Sequence, residues 1–141
     1  MRRTRGFTLL EMKTAIAAVS LLVVVLAVVG SRVDSVDKEV VAGARAQIQG
    51  LMGALGTYKL DNGTFPTTEQ GLQALRVKPA DAPHWNGPYL PQEVPKDPWD
   101  HNWIYKFPGD HGNEPDIISY GADGRPGGDG VNVDIVSWKK P

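Results

Sequence analysis

An uninterrupted apolar run near the N-terminus constrains this chain more than any other feature. Residues 14–30 carry no charged side chain, and no proline occurs between Phe7 and Leu60. At about 1.5 Å of rise per residue, a helix through this run covers most of a bilayer core of roughly 30 Å. Arginines crowd the extreme N-terminus, which favours a cytoplasmic position for that end. The start of the chain therefore predicts a membrane-length helix.

Glu11 lies at the mouth of this run, where a carboxylate is costly unless a cation meets it. A plain membrane anchor explains the run but leaves Glu11 without a role. An ordinary secretory signal peptide is a second alternative, since a basic start, an apolar core and small residues at Val28 and Gly30 suit signal peptidase. Glu11 and Lys13 both lie inside the expected apolar region, and they argue against that alternative.

The stretch from Ser31 to Leu60 is amphipathic, because its apolar residues recur at spacings of three and four. These residues are Val33, Val36, Val40, Ala44, Ile48, Leu51, Leu55 and Tyr58. The sequence predicts one long helix through residues 7–30 and 31–60, ended by Asp61-Asn62-Gly63. Glycines at positions 50, 53 and 56 form a strip of small residues along it.

Glycine and proline are concentrated after Asn62 and predict a turn-rich second half. A short helix is expected to end near Leu75, with Thr67 or Thr68 as its cap. The rest of the 61–99 region is expected to be an ordered loop. Three strands are predicted within residues 100–141: Trp103–Phe107, Ile117–Tyr120 and Asp134–Trp138. The predicted fold class is therefore α+β, a long N-terminal helix packed on a small antiparallel β-sheet.

Composition argues against several functional classes. The chain has no cysteine, which excludes disulfides, zinc–thiolate sites and thiol nucleophiles. Its 15 basic and 16 acidic residues do not indicate nucleic-acid binding. No phosphate loop, nucleophile elbow or HExxH motif occurs. His84, His101 and His111 are expected in turns and at the surface, and the tryptophans in packing rather than sugar binding. An enzyme is not predicted.

A glycine-rich segment near the C-terminus, residues 123–134, carries several oxygen donors. The donors are Asp123, Asp129, Asn132 and Asp134. Calcium takes about six to eight oxygen ligands, typically carboxylates and backbone carbonyls in a flexible cage. Glycines allow carbonyls to turn inward. From the residues alone, the segment is either a solvated turn or a calcium loop.

The N-terminal string Gly6-Phe7-Thr8-Leu9-Leu10-Glu11 resembles the type IV prepilin signal, which type IV pilins and type II secretion pseudopilins share. The resemblance implies cleavage after Gly6, N-methylation of Phe7 and retention of the apolar run. Residues 1–6 would then be a leader peptide, and residues 7–30 a transmembrane and filament-core helix. The new ammonium group of Phe7 in one subunit would pair with Glu11 of a neighbouring subunit.

The remaining motifs resemble the major pseudopilins of type II secretion systems, the G subunits, within the type IV pilin-like superfamily. They span residues 58–72, 87–90, 97–99, 108–112 and 119–124. Asp100 stands where that family usually has a glycine. The resemblance implies a major structural subunit of the pseudopilus, which polymerises in the cell envelope to drive export of folded proteins across the outer membrane.

The same resemblance implies calcium in the 123–134 loop. Asp123 and Asp134 match the family's first and last aspartates, while Asn132 or Asp129 would supply a further donor. Ser119 and its neighbours would supply backbone carbonyls.

The implied partners are other copies of the chain, minor pseudopilins, the inner-membrane assembly platform, the prepilin peptidase and membrane lipid. The implied location is the bacterial inner membrane, crossed once, with residues 31–141 in the periplasm. The alternatives are a minor pseudopilin, a type IV pilin subunit, or a secreted calcium- or carbohydrate-binding domain released by signal peptidase.

Overall fold

The computed structural model describes residues 9–139, with side chains at 19–30, 35 and 37–139. One helix, α1 (Leu9–Asn62), precedes three strands: β1 (Ile104–Lys106), β2 (Asp116–Ser119) and β3 (Ile135–Val136). Short 3₁₀ helices occur at Leu72–Leu75 and Gly130–Asn132. The predicted α+β class, with a long helix first and a small antiparallel sheet last, is confirmed. The chain divides into two compact units, one ending at Val36 and one beginning at Asp37.

The first unit contains the N-terminal part of α1, and its described apolar side chains are exposed. Leu21 and Leu26 expose 67% and 62% of their surface. No helix in the part of the chain with described side chains is both long enough and apolar enough to span a membrane. The predicted leader, residues 1–6, and Phe7 lie outside the described residues, as do the side chains at the start of the predicted segment 7–30.

The second unit contains the amphipathic part of α1, and its predicted inner face is buried from Ala44 onwards, while Val40 is half-buried. Buried side chains on this face are Ala44, Ile48, Leu51, Ala54, Leu55 and Tyr58. The side chains of Val33 and Val36 lie outside the described residues. The helix ends where predicted, because Gly63 adopts φ 81° and its N–H donates to the Lys59 carbonyl at 2.8 Å.

The glycine strip of α1 takes no part in packing within the chain. A Cβ added at Gly50, Gly53 or Gly56 would meet no atom within 4 Å beyond its neighbours in the helix. The buried side of α1 therefore owes its packing to side chains rather than to close approach of backbones.

The sheet is an antiparallel meander in the order β1-β2-β3. The strands lie close to their predicted positions: β1 and β3 are shorter than predicted, and β2 has the predicted length but begins and ends one residue earlier. Both backbone groups of Phe107 are hydrogen-bonded to the Thr68 hydroxyl at 3.0 Å, which removes Phe107 from the ladder. The Ser137 hydroxyl accepts from the Ile117 N–H at 3.0 Å, so a side chain takes the place of a ladder carbonyl just after β3.

The cap predicted for the short helix is wrong, because Thr67 stabilises the turn before it. The Thr67 hydroxyl accepts from the Gln70 N–H at 3.2 Å, and the Gln70 side-chain oxygen accepts from the Thr67 N–H at 2.8 Å. The 3₁₀ helix itself starts after Gly71, which adopts φ 60° and offers no side-chain cap.

The segment from 76 to 99 contains no helix or strand and is held by side chains, as predicted for an ordered loop. The Tyr89 hydroxyl donates to Asp61 Oδ2 at 2.8 Å and accepts from the Asn86 N–H at 2.9 Å. The Trp85 indole donates to the Ala74 carbonyl at 2.8 Å. These bonds hold the loop against the end of α1 and against the 3₁₀ helix. The Asp61–Tyr89 bond joins two of the motifs that resemble the pseudopilins, residues 58–72 and 87–90.

Candidate functional site

The loop between β2 and β3 is closed at its neck by backbone contacts. The Ala122 N–H donates to the Val131 carbonyl at 2.9 Å. Gly121 adopts φ 67°, and a Cβ there would lie 2.6 Å from the Val131 oxygen. Gly128 adopts φ 91°, and a Cβ there would lie 2.6 Å from the Asn132 carbonyl oxygen. Glycine is required at both positions because a side chain would force the two sides of the loop apart.

The two aspartates that end the candidate metal loop each accept from a backbone N–H within it. Asp123 Oδ1 accepts from the Arg125 N–H at 3.1 Å. Both carboxylate oxygens of Asp134 lie about the same distance from the Gly127 N–H, at 3.0 and 2.9 Å. Each carboxylate keeps further lone pairs, because an ionised carboxylate has about four acceptor positions.

The other predicted donors differ in their surroundings. Asp129 is exposed and Asn132 is half-buried, and neither side chain makes a hydrogen bond with another described residue. Ser119 is buried in β2, and its hydroxyl donates to Asp97 Oδ2 and accepts from the Gly121 N–H. The Ser119 hydroxyl is therefore engaged at the base of the loop, and the residue could offer an ion only its backbone carbonyl.

The donor chemistry of this loop fits calcium. Carboxylate, amide and carbonyl oxygens are the ligands that this ion prefers, and no nitrogen or sulfur ligand lies among the predicted donors. Among the described side chains, at 19–30, 35 and 37–139, no three acidic or histidine groups are placed to hold a metal ion together. Backbone carbonyls would therefore have to supply much of any coordination shell.

A buried aspartate beneath the loop, Asp97, was missed from the sequence. Its side chain accepts from the backbone N–H groups of Trp99 and His101 at 3.0 and 2.8 Å and from the Ser119 hydroxyl at 2.5 Å. His101 Nδ1 lies 3.2 Å from the Gly121 carbonyl oxygen and 3.8 Å from Asp97 Oδ2. The Asp-Pro dipeptide was the available signal, since an aspartate before a turn commonly bonds the backbone after it.

A second buried carboxylate, Asp116, organises the turn before β2. Asp116 Oδ2 accepts from the Asp110 N–H at 2.8 Å and lies 2.8 Å from His111 Nδ1. The His111 ring stacks on Trp138, with centroids 3.6 Å apart and planes 5° from parallel. His101 and His111 thus each lie beside an aspartate that is not adjacent in the sequence. Both histidines are in loops and partly exposed, as predicted.

Two exposed aspartates near these turns have simpler surroundings. The Lys106 ammonium hydrogen-bonds both oxygens of Asp110 and holds the pKa of that carboxyl below its usual range. Asp100 adopts φ 68° and is the one residue other than glycine with a positive φ among the described residues. The turn after Trp99 therefore keeps the backbone shape that glycine adopts most readily.

The residues predicted for processing and assembly cannot be placed in the same way. Gly6 and Phe7 lie outside the described residues. Glu11 belongs to α1, but its side chain is outside the described part of the chain.

A long helix that carries a small antiparallel sheet and a loop rich in oxygen donors defines a pseudopilin. A crystal structure of the major pseudopilin from the type 2 secretion system of enterohaemorrhagic Escherichia coli matches with a TM-score of 0.60 and 35% identity, covering 74% of this chain and 90% of that chain. The family model for the Type II secretion system (T2SS), protein G, matches residues 32–138. This chain belongs to that family.

Curated relatives agree along almost the whole length of the chain. The Type II secretion system core protein G of Vibrio cholerae is 40% identical over 143 residues, covering 98% of this chain and 94% of that protein. Its counterpart in Klebsiella michiganensis is 43% identical, covering 98% of this chain and 96% of that protein. The Pseudomonas aeruginosa protein is 36% identical, covering 97% and 96% respectively.

Proposed function

We propose that this chain is the major structural subunit of a type II secretion pseudopilus, polymerising helically in the cell envelope to drive export of folded proteins across the outer membrane. The observation that carries the proposal is the family match over residues 32–138, together with the similarity to a solved major pseudopilin. The exposed apolar residues of α1 between positions 19 and 29 support it, because a surface of that kind requires an apolar partner.

We further propose that the chain is made as a precursor anchored once in the inner membrane by residues 7–30, with residues 31–141 in the periplasm. A prepilin peptidase would cleave after Gly6 and N-methylate Phe7. Support comes from the prepilin-like string before Glu11 and from the uncharged run that follows it. Assembly would bury that run among neighbouring copies, and a Phe7 ammonium would then neutralise a Glu11 carboxylate.

The partners proposed on the same basis are other copies of the chain, minor pseudopilins, the inner-membrane assembly platform, the prepilin peptidase and membrane lipid. The chain's own role is structural. No catalytic residue is proposed.

Determining the mature N-terminus by mass spectrometry tests the processing step. We expect a methylated Phe7 at the start of the mature chain. A start at Ser31 would instead identify a domain released by signal peptidase, and an intact Met1 would contradict processing. Glu11→Ala is expected to abolish filament formation, with Glu39→Ala, a solvent-exposed acid on the same helix, as the control.

Calcium is proposed as the ion that the 123–134 loop binds. Asp123 and Asp134 would hold it with backbone carbonyls, and Asp129 or Asn132 would add a further oxygen. Three observations support the calcium proposal. The donors are all oxygens, both carboxylates keep unused lone pairs, and the two sides of the loop approach closely at Gly121 and Gly128. A bound ion would join the two ends of a loop that has few apolar contacts, and so stabilise the C-terminal sheet.

Thermal unfolding in excess calcium and in excess chelator tests this assignment. Calcium at a hundred times its dissociation constant stabilises the folded state by about 2.7 kcal/mol. Asp123→Ala should abolish the difference between the two conditions, whereas Asp81→Ala, an exposed aspartate that contacts Gln70, should preserve it. Identical melting curves for the wild-type protein with calcium and with chelator would overturn the calcium assignment.

A further inference from the structure

Asp97 is a fully buried carboxylate that lies beneath the loop and outside its proposed ligands. Its side chain has no solvent exposure, and it accepts from Trp99 N, His101 N and Ser119 Oγ. A buried carboxylate is costly unless its lone pairs are satisfied, so the three donors and the acid stabilise one arrangement of the turn.

Two of the residues that donate to Asp97, namely Ser119 and His101, also bond the backbone of Gly121 at the base of the loop. The Ser119 hydroxyl accepts from the Gly121 N–H at 3.2 Å. His101 Nδ1, on the residue whose N–H donates to Asp97, lies 3.2 Å from the Gly121 carbonyl oxygen. Both backbone polar groups of Gly121 are therefore held by residues that Asp97 positions.

Gly121 is placed where its backbone sets the start of the loop. It is buried at φ 67°, and the next residue, Ala122, donates to the Val131 carbonyl across the neck. The His101 ring also lies 3.4 Å from the position of a Cβ on Gly124, on the far side of Asp123. The network that starts at Asp97 thus bonds the backbone before Asp123 and lies beside the residue that follows it.

We propose that Asp97, Ser119 and His101 form a hydrogen-bonded network, called the latch, that acts through Gly121. The latch holds the start of the 123–134 loop in the conformation that binds calcium. The inference rests on the calcium binding proposed above and adds three side chains that position the loop without themselves touching the ion. When only a fraction of molecules holds the binding shape, the apparent affinity falls by that fraction. Calcium affinity should therefore depend on a residue that precedes the loop by more than twenty positions.

The chain offers a matched pair of serines for the test. Ser119 Oγ donates to Asp97 and accepts from the Gly121 N–H. Ser137 Oγ donates to the Pro115 carbonyl and accepts from the Ile117 N–H, at 3.1 and 3.0 Å. Both hydroxyls thus make one donated and one accepted bond beside the same sheet, but only the Ser119 hydroxyl leads to the loop.

Isothermal titration calorimetry with calcium, on the full-length protein in detergent, compares the calcium affinities of Ser119→Ala and Ser137→Ala. We expect Ser119→Ala to weaken calcium binding about tenfold. Ser137→Ala should lower the melting temperature of the calcium-depleted protein while leaving its calcium affinity within about twofold of the wild type. Equal affinities for the two variants, whether both are weakened or both unchanged, would overturn the latch.

His101→Ala keeps the test decisive if Ser119→Ala does not fold. The His101 side chain is 43% exposed, so its removal should be tolerated while the hold on the Gly121 carbonyl is lost. We expect about a threefold loss of calcium affinity and faster amide exchange at Ala122 without calcium. Unchanged affinity and unchanged exchange would overturn the latch alone, whereas a wild-type protein that binds no calcium would overturn the calcium proposal as well.

Discussion

Two stretches of α1 differ sharply in what surrounds their apolar side chains. Between positions 19 and 30 the described residues are all exposed, including Leu22 at 59%. Between positions 44 and 58 the apolar residues that recur every three or four positions are buried, and Leu55 has no exposed surface. Both stretches are helical and rich in aliphatic residues.

The difference lies in which partner each stretch has. The later stretch packs on the chain's own sheet and loops, and polar residues such as Arg45, Gln49 and Thr57 lie on its exposed side. The earlier stretch is apolar on every side, which suits an apolar environment made by lipid or by other copies. One helix thus carries a segment for folding and a segment proposed for assembly.

The largest effect that separates the two stretches should come from Leu55→Ala. Truncation of this fully buried residue should lower the free energy of unfolding by about 2–5 kcal/mol, since it leaves a cavity in the core. Leu22→Ala is the control and should change that free energy by less than about 0.5 kcal/mol. Tryptophan fluorescence in guanidinium measures both, because all four tryptophans follow position 84. Comparable losses in the two variants would break the contrast.

Asp116→Ala extends the comparison to the polar interior of the second unit. It leaves the Asp110 N–H and His111 Nδ1 without their acceptor and should cost about 1–3 kcal/mol of unfolding free energy. Glu114→Ala removes an exposed acid two positions earlier and should have little effect. If urea unfolding gave the same midpoint for both variants, the buried network would have no energetic role.

Tyrosine ionisation at alkaline pH should destabilise the second unit, because every tyrosine follows Val36. Burial raises the pKa of Tyr105, and also of Tyr58 and Tyr89, in the folded state. Their contribution is fully present below the unfolded tyrosine pKa of about 10 and is lost as the pH rises toward the raised folded values.

Tyr105→Phe tests this dependence. At neutral pH the variant should lose about 1 kcal/mol, because the Tyr105 hydroxyl no longer donates to the Pro66 carbonyl. Above about pH 10 its stability should fall less steeply than that of the wild type. Denaturant midpoints measured from pH 8 to pH 12 would contradict the expectation if the two curves ran parallel.

Asp100→Gly should give the smallest effect and the opposite sign. Glycine relieves the left-handed backbone at φ 68° but adds entropy to the unfolded chain, so we expect a gain of about 0.5 kcal/mol. Asp100→Ala should instead destabilise the turn, because alanine lacks the short polar side chain that tolerates this conformation. Differential scanning calorimetry orders the three proteins, and a destabilised glycine variant would show that the Lys96–Asp100 ion pair outweighs the backbone term.

Local signals in the sequence predicted most of the fold. The three-and-four spacing of apolar residues gave the buried face of α1, and Asn62-Gly63 gave its end. The strand positions followed from short apolar runs, but the lengths of β1 and β3 did not. Those lengths depend on Thr68 bonding Phe107 and on Ser137 bonding Ile117, contacts between residues far apart in the chain.

The candidate site was less predictable for the same reason. The donors of the 123–134 loop are visible in the sequence because they are close together. Asp97 and Ser119 are 22 positions apart, and no periodicity connects a turn aspartate to a strand serine. The Asp116–His111 pair was obscured because Asp110 is the nearer acid in the sequence.

The meander order of the sheet has a consequence for how the chain acquires its structure. β2 pairs with β1 and β3 pairs with β2, and the longest side-chain hydrogen bonds among the described residues span 39 positions, as from Tyr105 to Pro66. Pairing strands that are neighbours in the sequence costs little loop entropy, because each connection that must close is short. The second unit can therefore pair its strands in the order in which they are synthesised.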